Sequence, residues 1–401
     1  MKVLIADKLP ARSLLALEEA GHSVVVEPAA SGDVLREALR AEQPQALIVR
    51  STKVSRAMLT ANPMLELIVR AGAGYDTIDV ESASQRGVFV ANCPGKNASA
   101  VAELTIGLML ALDRRIPDSV NDARAGRWDK AAYSKAHGIK GRTLGVVGLG
   151  NIGKAVIRRA QGLGMHVVAW SRSLTEADAA DLGVAYAASP QAVAAAADVV
   201  SLHVASTPAT RHLANRAFFD AMQPGAFFIN TTRGAVVDEA ALVRAMDEKG
   251  IRAGLDVFDG EPPYKEGTLE GTLARHPNVY LTHHIGASTQ QAQEATALEA
   301  VRVVKVYAET GRVPNCINIA VQSAATHLLT VRHLDRVGVL AVVLDEVRQA
   351  HWNVQEMENL VFAGDEGAAC ARIWFNGEPR DTVLAQIKQH QHVLAASLIT
   401  L

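Results

Sequence analysis

A single stretch decides the fold of this chain: TLGVVGLGNIG, from Thr143 to Gly153. It begins with a short run of aliphatic residues that is typical of a buried parallel strand. Glycines at 148, 150 and 153 then form a GxGxxG pattern, and helical spacing follows over residues 154–163. Strand, glycine turn and helix in this order indicate a dinucleotide-binding unit, in which phosphates lie at a helix N-terminus.

Each glycine of the pattern has its own steric role. Gly148 permits a tight turn, Gly150 lets the backbone approach a pyrophosphate, and Gly153 lets helix and strand pack closely. Asn151 and Ile152 lie between them. We therefore predict that these five residues bind NAD(H) or NADP(H).

The choice between the two cofactors depends on the end of the next predicted strand, residues 166–170. NAD-binding units usually carry an Asp or Glu there, which binds the ribose hydroxyls. This chain has Ser171 and Arg172 instead. Both suit a 2′-phosphate, but Arg172 could also merely cover the adenine ring, so the sequence leaves both cofactors open.

The same alternation of short apolar runs and amphipathic segments extends outward over residues 1–95 and 143–281. It predicts an α/β fold with two doubly wound, Rossmann-like lobes built on parallel sheets. Long helices predicted over 99–112 and 289–310 would carry the chain from one lobe to the other and back. The predicted boundaries are 1–97 with 290–316 for a substrate-binding lobe and 98–289 for the dinucleotide-binding domain.

After Pro314 the pattern changes to strand, helix, strand, strand, helix, strand. This βαββαβ order predicts a ferredoxin-like domain over residues 326–401. Its two middle strands are expected to pair across a turn at residues 364–367.

Composition narrows the class of protein. Hydrophobic residues make up 49% of the 401 and charged residues 20%, which excludes global disorder. A net charge of −2 argues against a large nucleic-acid footprint, and three scattered cysteines predict neither a disulfide framework nor a metal site. The N-terminus lacks a signal-peptide core and the longest apolar run is too short to span a membrane. We therefore expect a cytoplasmic protein with no nucleic-acid or membrane partner.

Three polar segments follow predicted strands of the second lobe, where ligands bind in open α/β sheets. They carry an arginine (Arg233), acidic residues that include Glu261, and two adjacent histidines (His283 and His284). An arginine can bind a carboxylate, a histidine can accept a hydroxyl proton, and an acidic side chain can orient the histidine. This set suits the oxidation of a small-molecule 2-hydroxy acid.

At these segments the chain resembles the D-isomer-specific 2-hydroxyacid dehydrogenase family, over residues 45–315. The resemblance implies that Arg233, Glu261 and His284 are the catalytic residues. His283 is the rival of His284, since it stands where the family usually has proline. Further cofactor contacts implied by the resemblance are His203, Val204, Thr231, Asp256 and Gly286.

The resemblance is strongest to members that oxidise 3-phosphoglycerate. It implies that the loop at Ala73 and Gly74 receives the substrate carboxylate, that Asn97 lies in the segment between lobes, and that Arg50 and Arg70 meet the substrate phosphate. Ordinary surface charge is the alternative for both arginines. The rival activity is glyoxylate or hydroxypyruvate reduction, and a rival of another class is a non-enzymatic corepressor on the same fold.

The C-terminal segment resembles the ACT domain, a small amino-acid-sensing fold. The resemblance implies an L-serine effector contacted by His333, Asp335 and Asn353, with two copies of the domain paired. A second contact between copies, through the apolar helix at residues 104–112, would complete a homotetramer. The alternative is a domain that only oligomerises.

Overall fold

The computed structural model describes residues 1–28, 30–262, 267–269, 271–320, 322–364 and 367–401. These form two compact units, Met1–Asn318 and Ile319–Leu401. Asp365 and Glu366, in the predicted turn of the second unit, lie outside the described residues.

The first sheet of the Met1–Asn318 unit is parallel, with the strand order β2-β1-β3-β4-β5. Its strands are continuous apolar runs because helices cover both faces, and β3 is buried at every position. The strands are β1 (Lys2–Ile5), β2 (Ser23–Val26), β3 (Ala46–Val49), β4 (Leu67–Arg70) and β5 (Phe89–Ala91), and the helices between them are α1 (Ala11–Glu18), α2 (Gly32–Glu42), α3 (Arg56–Ala61) and α4 (Val80–Gln85).

The second sheet of this unit is also parallel, with the order β12-β11-β10-β9-β6-β7-β8. Its strands are β6 (Thr143–Val147), β7 (His166–Trp170), β8 (Ala185–Tyr186), β9 (Val199–Leu202), β10 (Phe227–Asn230), β11 (Arg252–Leu255) and β12 (Val279–Leu281). The helices are α5 (Ala98–Arg114), α6 (Ile116–Arg124), α7 (Lys130–Tyr133), α8 (Asn151–Gly162), α9 (Glu176–Asp181), α10 (Pro190–Ala196), α11 (Arg216–Ala221), α12 (Glu239–Lys249) and α13 (Thr272–Arg275). Sequence patterning missed β8, a two-residue edge strand that is exposed at both positions.

Two long helices connect the sheets. Helix α5 packs its apolar side into the core beneath β6, and Leu108, Met109 and Leu112 are buried there. These apolar residues of the 104–112 segment therefore pack inside their own lobe and are not exposed for a contact between copies. Helix α14 (Gln290–Thr310) returns the chain to the first sheet, where Ala300 and Val303 lie in the same core as β1.

The Ile319–Leu401 unit carries an antiparallel sheet with the order β14-β15-β13-β16. Its elements are β13 (His327–Leu334), α15 (Val339–Gln349), β14 (Asn353–Val361), β15 (Ala368–Asn376), α16 (Asp381–Gln389) and β16 (Val393–Thr400). The predicted βαββαβ order is confirmed, and with it the α/β fold class of two parallel-sheet lobes and a small ferredoxin-like domain. None of the helices in the described parts of the chain is long and apolar enough to cross a membrane.

Candidate active site

A histidine–carboxylate pair lies beyond the carboxyl ends of β11 and β12. Nδ1 of His284 is 2.8 Å from Oε2 of Glu261, and the other oxygen of Glu261 accepts a hydrogen bond of 3.1 Å from the backbone N–H of Phe258. Glu261 is therefore fixed by its own loop and in turn fixes the imidazole. With Nδ1 engaged, Nε2 is the ring nitrogen left to exchange a proton with a ligand.

The structure separates the two adjacent histidines. His284 has a φ of 53°, in the left-handed region, and its backbone N–H donates to the carbonyl of Asp256 at 3.0 Å. This local conformation turns its side chain toward Glu261. The neighbouring His283 is exposed, and its ring makes no hydrogen bond among the described residues.

Asp256, predicted as a cofactor contact, holds the histidine loop. It is 1% exposed, and its carboxylate accepts hydrogen bonds from Thr282 Oγ1 at 2.5 Å, from the N–H of Ile285 at 2.8 Å and from the N–H of Gly286 at 2.8 Å. The position of His284 thus depends on a buried carboxylate at the end of β11. This role was not predicted from the sequence, although an aspartate directly after a buried strand is a signal for it.

Arg233 follows β10 in a loop that is fixed by Asn230. The Asn230 amide oxygen accepts from the N–H of Thr232 at 3.0 Å, and its Nδ2 donates to the carbonyl of Arg233 at 3.0 Å. The guanidinium donates to Asp76, which belongs to the loop after β4, with Nη2–Oδ1 3.0 Å and Nε–Oδ2 3.2 Å. This ion pair joins the loops of the two sheets.

The glycine loop has the shape that a pyrophosphate requires. Gly148 has a φ of 104°, and a Cβ atom there would lie 2.5 Å from the carbonyl oxygen of His203. A Cβ atom at Gly153 would lie 2.1 Å from the carbonyl oxygen of Gly148, whereas Gly150 faces open space. Two glycines are thus required by packing and the third leaves room for a ligand, so the loop fits a dinucleotide.

Other predicted cofactor residues border this loop. Asn151 opens helix α8, and Ile152 packs on the core beneath β6. A Cβ atom at Gly148 would lie 3.0 Å from a methyl group of Val204, so Val204 also lines the turn. Thr231 is buried, and its hydroxyl lies 3.3 Å from that of Thr105 on α5.

His203 is a buried, neutral residue of the loop after β9. Its Nε2 lies 2.9 Å from Ser201 Oγ. Its Nδ1 is buried with no partner among the described residues. Burial lowers the pKa of His203 to about 3, so this imidazole offers an uncharged polar atom.

At the end of β7, Ser171 is half-buried and Arg172 is exposed. Both residues therefore lie at the strand end where this fold binds the adenosine ribose or its 2′-phosphate.

Two predicted substrate arginines lie side by side. Val49 pairs with Arg70 in the register of β3 and β4, and Arg50 is the next residue after Val49. Arg70 lies against Gly72, where a Cβ atom would be 1.4 Å from its Nη1. Its Nε is buried with no hydrogen-bond partner among the described residues. Burial lowers the pKa of Arg70, and the positive charge of Arg233 lowers it further, so Arg70 is no ordinary surface charge.

Asp7 organises the loop that carries Arg50. Its carboxylate accepts from the backbone N–H groups of Arg50 at 2.7 Å, Ser51 at 3.1 Å and Thr52 at 3.1 Å. Burial raises the pKa of Asp7, but these hydrogen bonds outweigh it and the net pKa is lowered. Asp7 was not among the predicted site residues, although it also stands just beyond a buried strand.

The remaining substrate residues lie in the segments after β4 and β5. The carbonyl oxygen of Ala73 accepts a hydrogen bond of 2.6 Å from Asn92 Nδ2. A Cβ atom at Gly74 would lie 2.2 Å from Arg233 Nη2, so a side chain there would displace the guanidinium from this position. Asn97 is buried at the start of α5, and its Oδ1 has no partner among the described residues.

In the second unit the three predicted effector residues do not meet within one chain. His333 is buried, and its ring nitrogens lie 2.8 Å from the Leu334 carbonyl oxygen and 3.2 Å from Asn359 Oδ1. Asn353 is exposed at the other end of β14, opposite Asn376. The N–H of Asp335, in the loop after β13, donates to the carbonyl of Gly367.

The chain is similar to known dehydrogenases and reductases. Residues 106–286 match the NAD-binding domain model of the D-isomer-specific 2-hydroxyacid dehydrogenases. The chain is 41% identical over 267 residues to a hydroxypyruvate reductase of Thermotoga maritima, with 66% of this chain and 84% of that protein covered.

The chain belongs to the D-isomer-specific 2-hydroxyacid dehydrogenase family. A second relative in the family, a D-3-phosphoglycerate dehydrogenase of Methanocaldococcus jannaschii, is 36% identical over 321 residues, covering 80% of this chain. The chain spans only 60% of that relative's length. A solved structure, an NADPH-dependent glyoxylate/hydroxypyruvate reductase of Sinorhizobium meliloti in complex with NADP and malonate, matches with a TM-score of 0.68 and 31% identity over 79% of this chain and 96% of that one. The expected nicotinamide cofactor, NAD(H) or NADP(H), agrees with the family's NAD-binding domain.

Proposed function

We propose that this protein is a D-3-phosphoglycerate dehydrogenase that oxidises 3-phospho-D-glycerate to 3-phosphohydroxypyruvate, the first step of L-serine synthesis. The observation that carries the proposal is that Arg70 lies close to both Arg50 and Arg233. Phosphoglycerate has a carboxylate at one end and a phosphate at the other, so it needs cationic groups for both. Arg70 supplies the strongest argument, because its buried Nε has no partner among the described residues and a buried, unpaired donor is costly.

The reaction follows from the residues already described. Arg233 and the loop amides at Ala73 and Gly74 hold the substrate carboxylate. His284 accepts the hydroxyl proton on Nε2, and Glu261 holds the imidazole and stabilises the imidazolium that forms. A nicotinamide cofactor held at the glycine loop would supply the acceptor for the hydride that leaves C2 of the substrate. In the reverse direction the same imidazolium returns the proton to the 2-oxo group.

A second candidate is glyoxylate or hydroxypyruvate reduction. Arg172 and Ser171 favour it, because an exposed arginine without a neighbouring carboxylate on the β7 end suits NADPH, the cofactor of reductive enzymes. Among the relatives, the hydroxypyruvate reductase is at least as similar in sequence as the phosphoglycerate enzyme. The retained Arg233, Glu261 and His284 argue against a non-enzymatic corepressor.

One experiment separates these functions. Initial rates should be measured with 3-phosphoglycerate, glycerate, 2-oxoglutarate and glyoxylate, each with both cofactors in the suitable direction. The proposal expects the highest kcat/KM for 3-phosphoglycerate. Arg70→Gln should raise KM for 3-phosphoglycerate at least tenfold more than KM for glycerate, since a charge-assisted contact is worth about 1.5–3 kcal/mol. Arg56→Gln, an exposed arginine at the start of α3, is the matched control. Equal effects on both substrates, or a preference for glyoxylate, would refute the phosphate role.

We propose in addition that the Ile319–Leu401 unit binds L-serine between two copies of itself and thereby contributes to a homotetramer. Asn353 and Asp335 lie toward opposite ends of the sheet, so a shared site requires a second copy. A ligand regulates only if it prefers one arrangement of the copies. A chain that ends at Asn318 should keep its activity, lose any response to serine and form a smaller oligomer in sedimentation. Absence of calorimetric serine binding by the full chain would refute the effector role.

A further inference from the structure

We infer that Asp76 is a positioning residue that fixes which edge of the Arg233 guanidinium faces the substrate carboxylate. The inference rests on the proposed role of Arg233 as the carboxylate-binding group. Asp76 lies in the loop after β4 and Arg233 in the loop after β10, so the pair also joins loops that belong to the two sheets of the first unit.

The hydrogen bonds that Arg233 makes within the described residues leave two of its donors free. A guanidinium has five N–H groups. In Arg233, Nε and Nη2 each donate to one oxygen of Asp76, and Nη1 donates to the carbonyl of Thr232 at 2.7 Å. Among the described residues, one N–H group on each Nη atom has no acceptor. These two donors are available to another carboxylate, which a guanidinium binds most strongly in a bidentate manner.

The edge of the Arg233 guanidinium that Asp76 binds lies against the loop that we propose receives the substrate carboxylate. Nη2 of Arg233 lies so close to Gly74 that a Cβ atom there would be 2.2 Å away. One oxygen of Asp76 would be 3.0 Å from that same Cβ position. Asp76 therefore holds the guanidinium against the backbone of the loop, and the substrate carboxylate can meet loop amides and guanidinium together.

Asp76 also makes the crowding of positive charge tolerable. Arg70 and Arg233 lie close together, and the charge of Arg233 disfavours the ionised form of Arg70, whereas the charge of Asp76 favours it. Burial raises the pKa of Asp76, but the hydrogen bonds and charge of Arg233 outweigh it and the net pKa is lowered. Asp76 thus stays ionised near neutral pH and balances part of the charge that the ligand must meet.

The test uses oxalate, a small dicarboxylate, as the probe for the carboxylate site. Its dissociation constant is measured by calorimetry on the full chain saturated with NADH. Asp76→Asn keeps the shape but removes the charge and one of the two acceptors, and it should weaken oxalate at least about tenfold, the scale of a lost charge-assisted contact. The dissociation constant of NADH should change less than twofold. Glu81→Gln, an exposed carboxylate on the nearby helix α4, is the control for net charge and should leave both constants unchanged.

A double-mutant cycle shows whether Asp76 acts through Arg233. In an Arg233→Gln background, Asp76→Asn should change oxalate binding less than twofold. An equal loss in both backgrounds would overturn the inference. Tighter oxalate binding by Asp76→Asn would overturn it too, because Asp76 would then be a competitor for Arg233. If Asp76→Asn does not fold, Asp76→Glu, which keeps the charge but shifts the fork, must weaken oxalate without affecting NADH.

Failure of the proposed substrate is distinguishable from failure of this inference. A protein that binds oxalate through Arg233 yet does not oxidise 3-phosphoglycerate refutes the substrate alone. A protein that binds NADH but not oxalate refutes the carboxylate role of Arg233 and this inference with it.

Discussion

Replacing Glu299 by glutamine should destabilise the Met1–Asn318 unit measurably, because this carboxylate joins three parts of the chain. Glu299 lies on α14 and is 7% exposed. It accepts from Arg302 at 2.6 Å and 3.0 Å and from Asn315 at 2.8 Å, and Lys96 Nζ lies 3.3 Å away. Lys96 belongs to the segment that connects the two sheets, so the Glu299 carboxylate links this segment to α14.

The magnitude follows from the ionisation of Glu299. Hydrogen bonds from Arg302, partly opposed by burial, lower its pKa from 4.5 to about 2. At about 1.4 kcal/mol for each tenfold change in an ionisation constant, the stabilisation is at most about 3.4 kcal/mol. Arg302 is half-exposed and solvent screens its charge, so we expect Glu299→Gln to cost about 2 kcal/mol near neutral pH.

The pH dependence gives the sharper test. Because the folded pKa is lowered, the contribution is fully present above the unfolded value of 4.5 and is lost as the pH falls toward about 2. Urea unfolding of the wild type and of Glu299→Gln should differ by a constant free energy between pH 6 and 8. The difference should fall to roughly half near pH 3. Glu309→Gln, an exposed position on the same helix, is the control. A difference that is absent at pH 7, or that does not shrink in acid, would refute the reasoning.

Three further predictions concern the active site and the cofactor loop. His284→Ala should lower turnover at least about a hundredfold, the scale of losing a general base, whereas His283→Ala should retain most activity. Steady-state kinetics of both variants test this, and a larger loss in His283→Ala would show that His283 is the base. If the Arg172 guanidinium binds the 2′-phosphate, Arg172→Ala should weaken NADP(H) binding by roughly 1.5–3 kcal/mol and leave NAD(H) binding nearly unchanged. Fluorescence titrations that show equal losses of affinity for both cofactors would indicate that Arg172 covers the adenine ring instead. Gly148→Ala should destabilise the protein and abolish NADH binding, because its Cβ would lie 2.5 Å from a backbone carbonyl oxygen. Gly150→Ala should remain folded and lose only cofactor affinity, since no described atom lies within 4 Å of its Cβ position. A stable Gly148→Ala protein with normal NADH affinity would contradict this prediction.

Local patterns in the sequence were sufficient for the framework. Short apolar runs predicted the strands of both parallel sheets, and the order of elements after Pro314 predicted the ferredoxin-like domain, because burial on both faces of a strand leaves a direct mark on composition. The edge strand β8 left no such mark, since Ala185 and Tyr186 are exposed. The glycine at 153 likewise follows from sterics within one strand–turn–helix unit, because its Cβ would meet the carbonyl oxygen of Gly148. The constraint at Gly148 comes from the carbonyl oxygen of His203, a contact that only the fold supplies.

Only the tertiary structure decided how the polar residues are used. It placed Glu261 against His284 rather than His283, since a left-handed backbone at 284 turns one ring and not the other. It brought Asp76 to Arg233 across 157 positions of chain. Such pairings depend on where loops from separate strands end in space, and no periodicity in the sequence records that distance. The sequence by itself determined which groups are present at the strand ends, and the fold determined which of them touch.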